Sequence, residues 1–294
     1  MRKILSKEMV ALGKDKNNIF LTGDLGFMSL EEVKKSFGQR FINCGVSEQN
    51  MIGVAAGLAR NNLNVFAYSI APFIYARPFE QIKNDIVLSD LPVCLIGNGG
   101  GYAYGYQGPT HHAIEDCAAM NALGVEVLVP SFDQDISCLL TNINRPSYLR
   151  LGIEQLPKGK KPPPYKPWRL LEKGSNGVVV ALGPLAGMVW ETILELPKKN
   201  RPSLWAVNNF NTGDIPDQFL KNINNQKLYV FEEHVAQGGL GMHVSHIIAK
   251  RGLSLKQFSH HHAYGYPSLN FGSQSFHRKE SGLDQDTILK IFKN

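Results

Sequence analysis

The chain has 294 residues with 43% hydrophobic and 19% charged side chains, a globular mixture that excludes intrinsic disorder and gives room for two cores. Its formal charge of +6 suggests an anionic partner until it is located. Lys158, Lys160, Lys161, Lys166, Arg169 and Lys173 against Glu172 supply +5 of it inside Leu156–Lys173, which leaves no basic footprint for nucleic acid.

Cys44, Cys94, Cys117 and Cys138 never form C-x-x-C, so a disulfide framework or zinc ribbon is not expected and a reducing compartment is. The first residues, MRKILSKEMVALGKDK, lack the apolar core and cleavage site of a signal peptide. No run approaches the ~18 apolar residues of a membrane span. A soluble, cytoplasmic protein that does not meet a membrane is expected.

In chain order, an amphipathic stretch at Ile4–Leu12 precedes strand-like runs at Ile19–Thr22 and Phe41–Asn43. A helical stretch follows at Glu48–Arg60, then strands at Val65–Ser69, Val93–Gly97 and Glu126–Val129. Asp133–Leu140 reads as helix and Ser147–Arg150 as strand. Leu156–Lys173, with three consecutive prolines, reads as an extended, solvated linker, and a phosphate-binding patch is the other reading. Beyond it, strands at Gly177–Leu182, Ser203–Val207 and Leu228–Phe231 alternate with helical stretches at Leu185–Leu196, Pro216–Asn222 and Gly239–Lys250.

Strands alternating with helices predict α/β architecture, here two doubly wound domains at 1–155 and 174–294 joined by a linker at 156–173. The tail Ser259–Lys279 looks irregular. Its adjacent histidines His260, His261 and His262 cannot all face one metal from a strand or helix, so a loop without a metal site is expected.

Open parallel sheets bind ligands at the carboxyl ends of their strands. Four segments fall there: Thr22–Leu25, Asn43–Asn50, Ser69–Arg77 and Gly97–His112. Ser47 is placed to cap a helix that begins at Glu48. Taken alone, Glu48 is a carboxylate favoured by the helix dipole. Met51, Ile52, Val54, Ala55 and Leu58 make that helix apolar on most faces, however, and a carboxyl buried there suits proton sharing.

In the fourth segment Tyr104 stands where a dinucleotide fingerprint needs its third glycine, so that fingerprint is not expected. The many glycines suggest close approach of backbone to a ligand or to another subunit. His111 and His112 at its end can be surface residues or proton-transfer groups.

Together these segments resemble the transketolase family of thiamine diphosphate enzymes. RFINCGVSEQNMIGVAAGLA, then Phe73–Asp85 with Arg77, Phe79, Glu80, Gln81 and Asn84, is similar to the family's pyrimidine-binding domain. GYQGPTHHAIEDCAAMNALGVEVLVPS continues the likeness in order. Val230-Phe231-Glu232-Glu233-His234, the glycines of Gly238–Gly241 and Ser281–Asp284 resemble the family's C-terminal domain.

The resemblance implies that Glu48 hydrogen-bonds N1′ of the cofactor's aminopyrimidine, favouring the imino tautomer that deprotonates the thiazolium to the ylid. It implies that Phe73 stacks on that ring, with Ile70 and Ala76 where the family has a second aromatic and a tyrosine. It places Asp24 near the thiazolium and His111 against substrate hydroxyls. The glycines at 238–241 are expected to allow tight packing or a subunit contact, with a ligand role as the other reading.

The family's diphosphate domain, with its GDG and later Asn, has no counterpart here. Gly-Asp occurs only at Gly23-Asp24 and Gly213-Asp214, neither followed by glycine. The resemblance thus implies a β subunit of an α2β2 heterotetramer, whose α subunit supplies the diphosphate site and Mg2+. The family's three phosphate-gripping residues align with Met28, Gly99 and Ile153, and its hydroxyl-reading aspartate with Gln107. An unphosphorylated, modified or nucleotide-linked sugar is therefore expected as substrate. Arg77 and Arg150 can serve an anion or pair with a nearby carboxylate.

The implied reaction is transfer of a two-carbon ketol unit from a ketose to an aldehyde. A 2-oxo acid decarboxylating enzyme, like deoxyxylulose-phosphate synthase or an E1β subunit, is the alternative within the cofactor class. A non-catalytic scaffold homologue is the alternative outside it. Retained Glu48, Phe73 and His111 argue against a scaffold, whereas Ile70, Ala76 and Gln107 argue for one.

Overall fold

The computed structural model describes residues 1–26, 28–141, 143–210 and 215–293. The second Gly-Asp pair, at 213–214, lies outside them. The first half of the chain runs α1 (Arg2–Leu12), β1 (Asn18–Thr22), α2 (Glu31–Phe37), β2 (Phe41–Asn43), α3 (Glu48–Ala59) and β3 (Asn64–Ile70). Then come α4 (Ala71–Tyr75), the short α5 (Phe79–Gln81) running into a π-helical segment at Ile82–Val87, and β4 (Val93–Asn98). Finally α6 (Asp116–Ala122), β5 (Glu126–Leu128), α7 (Asp135–Leu140) and β6 (Ser147–Leu151) complete it.

Its six strands form one sheet in the order β2-β1-β3-β4-β6-β5, every pair parallel. Strands β1, β4 and β6 are buried along their whole length, so they read as apolar runs rather than as alternation. Helix α3 seats Met51, Ile52, Ala55, Ala56 and Ala59 on one side of this sheet, while α1 seats Leu5 and Met9 on the other.

The second half runs β7 (Trp168–Glu172), β8 (Val178–Leu182), α8 (Leu185–Glu195), β9 (Ser203–Val207) and α9 (Asp217–Ile223). It ends with β10 (Lys227–Phe231), α10 (Leu240–Lys250), β11 (Gln257–His261), α11 (Gln274–Glu280) and α12 (Gln285–Lys293). The sheet order is β11-β10-β8-β9-β7, parallel except for β7. Among the described residues no helix is long and apolar enough to cross a membrane.

Two expectations are corrected. The segment expected to be solvated contains β7, whose Trp168 and Arg169 are buried. Arg169 forms a two-pronged pair with Asp135 on α7, at 2.9 and 2.8 Å, so its charge is neutralised inside the fold. The tail, expected to be a loop, contains β11, which pairs along β10 from Gln257 to His261. There the histidines do structural work: His260 Nε2 lies 2.6 Å from Glu232 Oε1, and His261 stacks on Phe231.

Candidate functional site

Asp24, Glu48 and the loop from Gly99 to His112 follow β1, β2 and β4 respectively, and Ile70 ends β3. All therefore gather at the carboxyl edge of the first sheet. Asn43, the last residue of β2, ties two of these loops together. Its carbonyl oxygen accepts the N–H of Asp24 at 2.9 Å and that of Gly45 at 3.0 Å, and its amide donates to Asp24 Oδ1 at 2.8 Å. Asp24 itself takes the left-handed backbone conformation (φ 58°), which an aspartate tolerates in a turn. Gly23 borders the carboxylate opposite: a Cβ placed on it would lie 3.7 Å from Glu48 Oε1.

Glu48 opens α3 and is only 4% exposed, as its apolar helix requires. Ser47 occupies the cap position, but its hydroxyl donates to Cys44 O at 2.6 Å instead of accepting from the helix. Glu48 Oε1 accepts from Arg77 Nη1 at 2.8 Å, which settles Arg77 as a carboxylate partner. The same guanidinium lies over the Phe73 ring, 3.6 Å from its centre. Phe73 meets the His111 ring edge-on at 5.1 Å between centroids, and Tyr104 lies beyond His111 at 6.1 Å. Glu48, Arg77, Phe73 and His111 thus form one continuous row. Ile70 stands half-buried just before α4.

Two cavities open along that row. One, of about 490 Å³, is lined by Glu48, its neighbours on α3 and Arg77. The other, of about 510 Å³, is lined by Phe73, Ala76, Arg77, Thr110, His111 and Glu115 among others. Exposed Gln107, and Met28 at 82% exposure, line neither. Gly99 and Ile153 line a third cavity of about 350 Å³ with Arg2 and Lys3.

The two adjacent histidines are told apart by their surroundings. His112 is buried, with one ring nitrogen 3.0 Å from Gly105 O and the other 3.0 Å from Tyr266 Oη, and burial lowers its pKa. Those contacts engage both of its ring nitrogens, although the residue also borders the cavity of about 510 Å³. His111 is half-exposed, with Nδ1 2.9 Å from Thr110 Oγ1, and it faces the cavity. Burial raises the pKa of the nearby Cys44 thiol, which disfavours its thiolate form.

The glycine-rich loop makes close approaches within the chain. A Cβ on Gly100 would come within 2.6 Å of Arg150, and one on Gly101 would strike Glu233. Glu233 accepts the Tyr102 N–H at 2.6 Å and the Gln274 amide at 2.9 Å, and pairs with Arg278, locking the two sheets together. Arg150 is structural too. It donates to Asp116 at 2.7 Å and to two carbonyls, of Ala113 and Glu233.

Asp116, Cys117 and His234 bring potential metal ligands within 4.8 Å of one another. Arg150 and Tyr148 hold Asp116 Oδ2, and His234 Nε2 accepts the Ala118 N–H, while Asp116 Oδ1 is buried without a partner. The glycines at 238–241 meet Ala118 (Gly238), Glu232 (Gly239) and the His260 ring (Gly241). The Glu232 carboxylate accepts the Leu240 and Gly241 N–H groups at 2.7 and 2.9 Å, and a Cβ on Gly239 would fall 2.6 Å from it. They serve tight packing within the chain.

Residues 1–158 match the family described as transketolase, pyrimidine binding domain. One subunit of the apulose-4-phosphate transketolase of Actinobacillus succinogenes is 29% identical, over 87% of this chain and 85% of its own. A putative transketolase C-terminal section from Methanocaldococcus jannaschii is 30% identical, over 87% and 84%. A solved structure described as a split gene transketolase, inactive beta4 tetramer, superposes with a TM-score of 0.81 at 25% identity, covering 99% of this chain and 96% of the other.

Proposed function

The chain belongs to the transketolase family, and from that premise we propose that it is the β subunit of a two-subunit, thiamine diphosphate-dependent transketolase. In this reading it moves a two-carbon ketol unit from a ketose to an aldehyde. The observation that carries the reading is the continuous row of Glu48, Arg77, Phe73 and His111 at one sheet edge.

The residues fit an aminopyrimidine ring. A buried carboxylate acceptor stands beside an aromatic face, and a planar N–H donor, the Arg77 guanidinium, already satisfies both. When bound, the cofactor supplies the carbanion chemistry for breaking and forming the carbon–carbon bond. Glu48 holds a proton at N1′ of the ring, and Phe73 fixes the ring's plane by stacking. Asp24, clasped by Asn43, lines a neighbouring cavity of about 260 Å³, while Gly23 before it borders Glu48. His111, with Nδ1 engaged by Thr110, offers Nε2 to exchange protons with substrate hydroxyls.

The diphosphate and Mg2+ are assigned to an α subunit in an α2β2 assembly. Two observations support that assignment: the Actinobacillus relative is one subunit of its enzyme, and GDG…N is missing here. Four free cysteines support a cytoplasmic setting. The Actinobacillus relative is named for a sugar phosphate, yet Met28, Gly99 and Ile153 offer this chain no side-chain grip on a phosphate dianion. We assign it an unphosphorylated, modified or nucleotide-linked sugar.

The test is co-expression with a partner carrying GDG…N, followed by a donor screen read by mass spectrometry. Two-carbon transfer that is lost in Glu48→Ala, with partner binding intact, supports the enzyme reading. A donor that loses CO2 points to the decarboxylating class. Efficient turnover of xylulose 5-phosphate with ribose 5-phosphate would overturn the substrate assignment.

A further inference from the structure

Arg77 engages, with a single guanidinium, both residues assigned to the cofactor ring. Nη1 donates to Glu48 Oε1 at 2.8 Å, and the guanidinium carbon lies 3.6 Å from the centre of the Phe73 ring. Arg77 also lines the Glu48 cavity of about 490 Å³ and the Phe73–His111 cavity of about 510 Å³. Among the described residues it is the one common to both linings, so its side chain is the partition between them.

Building on the reading that Glu48 and Phe73 hold the aminopyrimidine, we propose that Arg77 is a displaceable gate. In the free chain its guanidinium fills the aminopyrimidine slot, and the ring is admitted when that side chain swings aside. Guanidinium and aminopyrimidine are alike in the features this slot reads: both are planar, both stack on an aromatic face, and both present N–H to a carboxylate.

The contacts of Arg77 suit a part that moves. Its side chain is 43% exposed, and a half-solvated ion pair holds weakly. Its departure strips a buried carboxylate of its donor, so only a group that returns an N–H to Glu48 replaces it without penalty. The gate therefore also screens what is admitted. Its withdrawal joins the two cavities and places Glu48 and His111 on one continuous chamber. While closed, it lowers the apparent affinity for the ring by the fraction of chains whose slot is open.

The test uses the purified chain alone and the uncharged aminopyrimidine half of thiamine as its hydroxymethyl alcohol. That probe lacks the diphosphate, so no partner is needed, and lacks the thiazolium charge, so removing a cation does not by itself raise affinity. Calorimetry or NMR titration is run on wild type, Arg77→Ala, Arg77→Lys, and Glu48→Gln in the Arg77→Ala background. The gate predicts that Arg77→Ala binds at least about fivefold more tightly than wild type, with Arg77→Lys between them.

Equal, weaker or undetectable binding by a folded Arg77→Ala overturns the gate, with Arg77→Lys deciding in the same way if the alanine variant does not fold. If the double variant binds as well as Arg77→Ala, Glu48 does not hold the ring. The underlying reading then fails, and the gate with it. If the double variant loses binding while Arg77→Ala shows no gain over wild type, the reading stands and the gate alone falls.

Discussion

Two carboxylate–guanidinium pairs of almost the same length do opposite things in this molecule. Asp116–Arg150, at 2.7 Å, lies between the two sheets with both side chains at most 4% exposed. The donors around it are engaged by the scaffold: Arg150 also reaches the Ala113 and Glu233 carbonyls, and Tyr148 donates to the same Asp116 oxygen, Oδ2, while Oδ1 stays buried without a partner. Glu48–Arg77, at 2.8 Å, has a buried carboxylate, but its arginine is half in water and rests on an aromatic face. The difference teaches that an ion pair is a fastener when the scaffold engages the donors around it. It is a replaceable occupant when one partner faces a cavity.

The comparison is most severely tested at Glu48. In the reconstituted enzyme, Glu48→Ala lowers turnover by roughly 10³-fold, the scale of a lost proton-transfer group, while circular dichroism and partner binding stay unchanged. Next in size, Arg150→Met destabilises the chain by about 3–5 kcal/mol in urea unfolding, because Asp116 is left buried and unpaired. Arg77→Ala measured alongside costs less, about 1–3 kcal/mol, because Glu48 loses its donor but opens on a cavity. Equal losses from the two arginines would erase the distinction.

The histidines extend the same contrast. His111→Asn lowers kcat by roughly 10²-fold with an unchanged melting temperature. His112→Asn lowers the melting temperature first, since that ring is buried between Gly105 and Tyr266.

The last contrast is in pH dependence. Burial against Phe231 lowers the His261 pKa from 6.5 to about 4. Between those values the unfolded chain binds a proton that the folded chain does not, so stability falls as pH drops through that window. A series of melting temperatures from pH 7 to pH 4 detects it, and His261→Phe flattens that part of the slope.

Much of this was legible in the sequence where burial is complete. Strands such as β1, β4 and β8 are buried on both faces, so their apolar runs announce them. β7 was hidden because prolines and lysines surround it, and the partner that neutralises Arg169 is Asp135, 34 residues away. β11 was hidden because an edge strand needs only partial burial, and QFSHH has little apolar pattern. At the site, Glu48, Phe73, Asp24 and His111 sit in contiguous motifs that can be read locally. The choice of Glu48 for Arg77 could not be read there, since 29 residues separate them and adjacency comes only from the strand order.

That strand order carries a consequence for how the protein comes to exist. The site is suspended from β1, β2, β3 and β4, each reached through its own crossover, and the contacts that join its separate loops, Asp24–Asn43, Glu48–Arg77 and Phe73–His111, are non-local. No local hairpin or helix pair holds even half of it. Parallel pairings of this kind are among the slow steps of folding. Of the row, Glu48, Phe73 and Arg77 precede β4 and only His111 follows it, so the proton-exchanging end of the site is the last part the chain delivers.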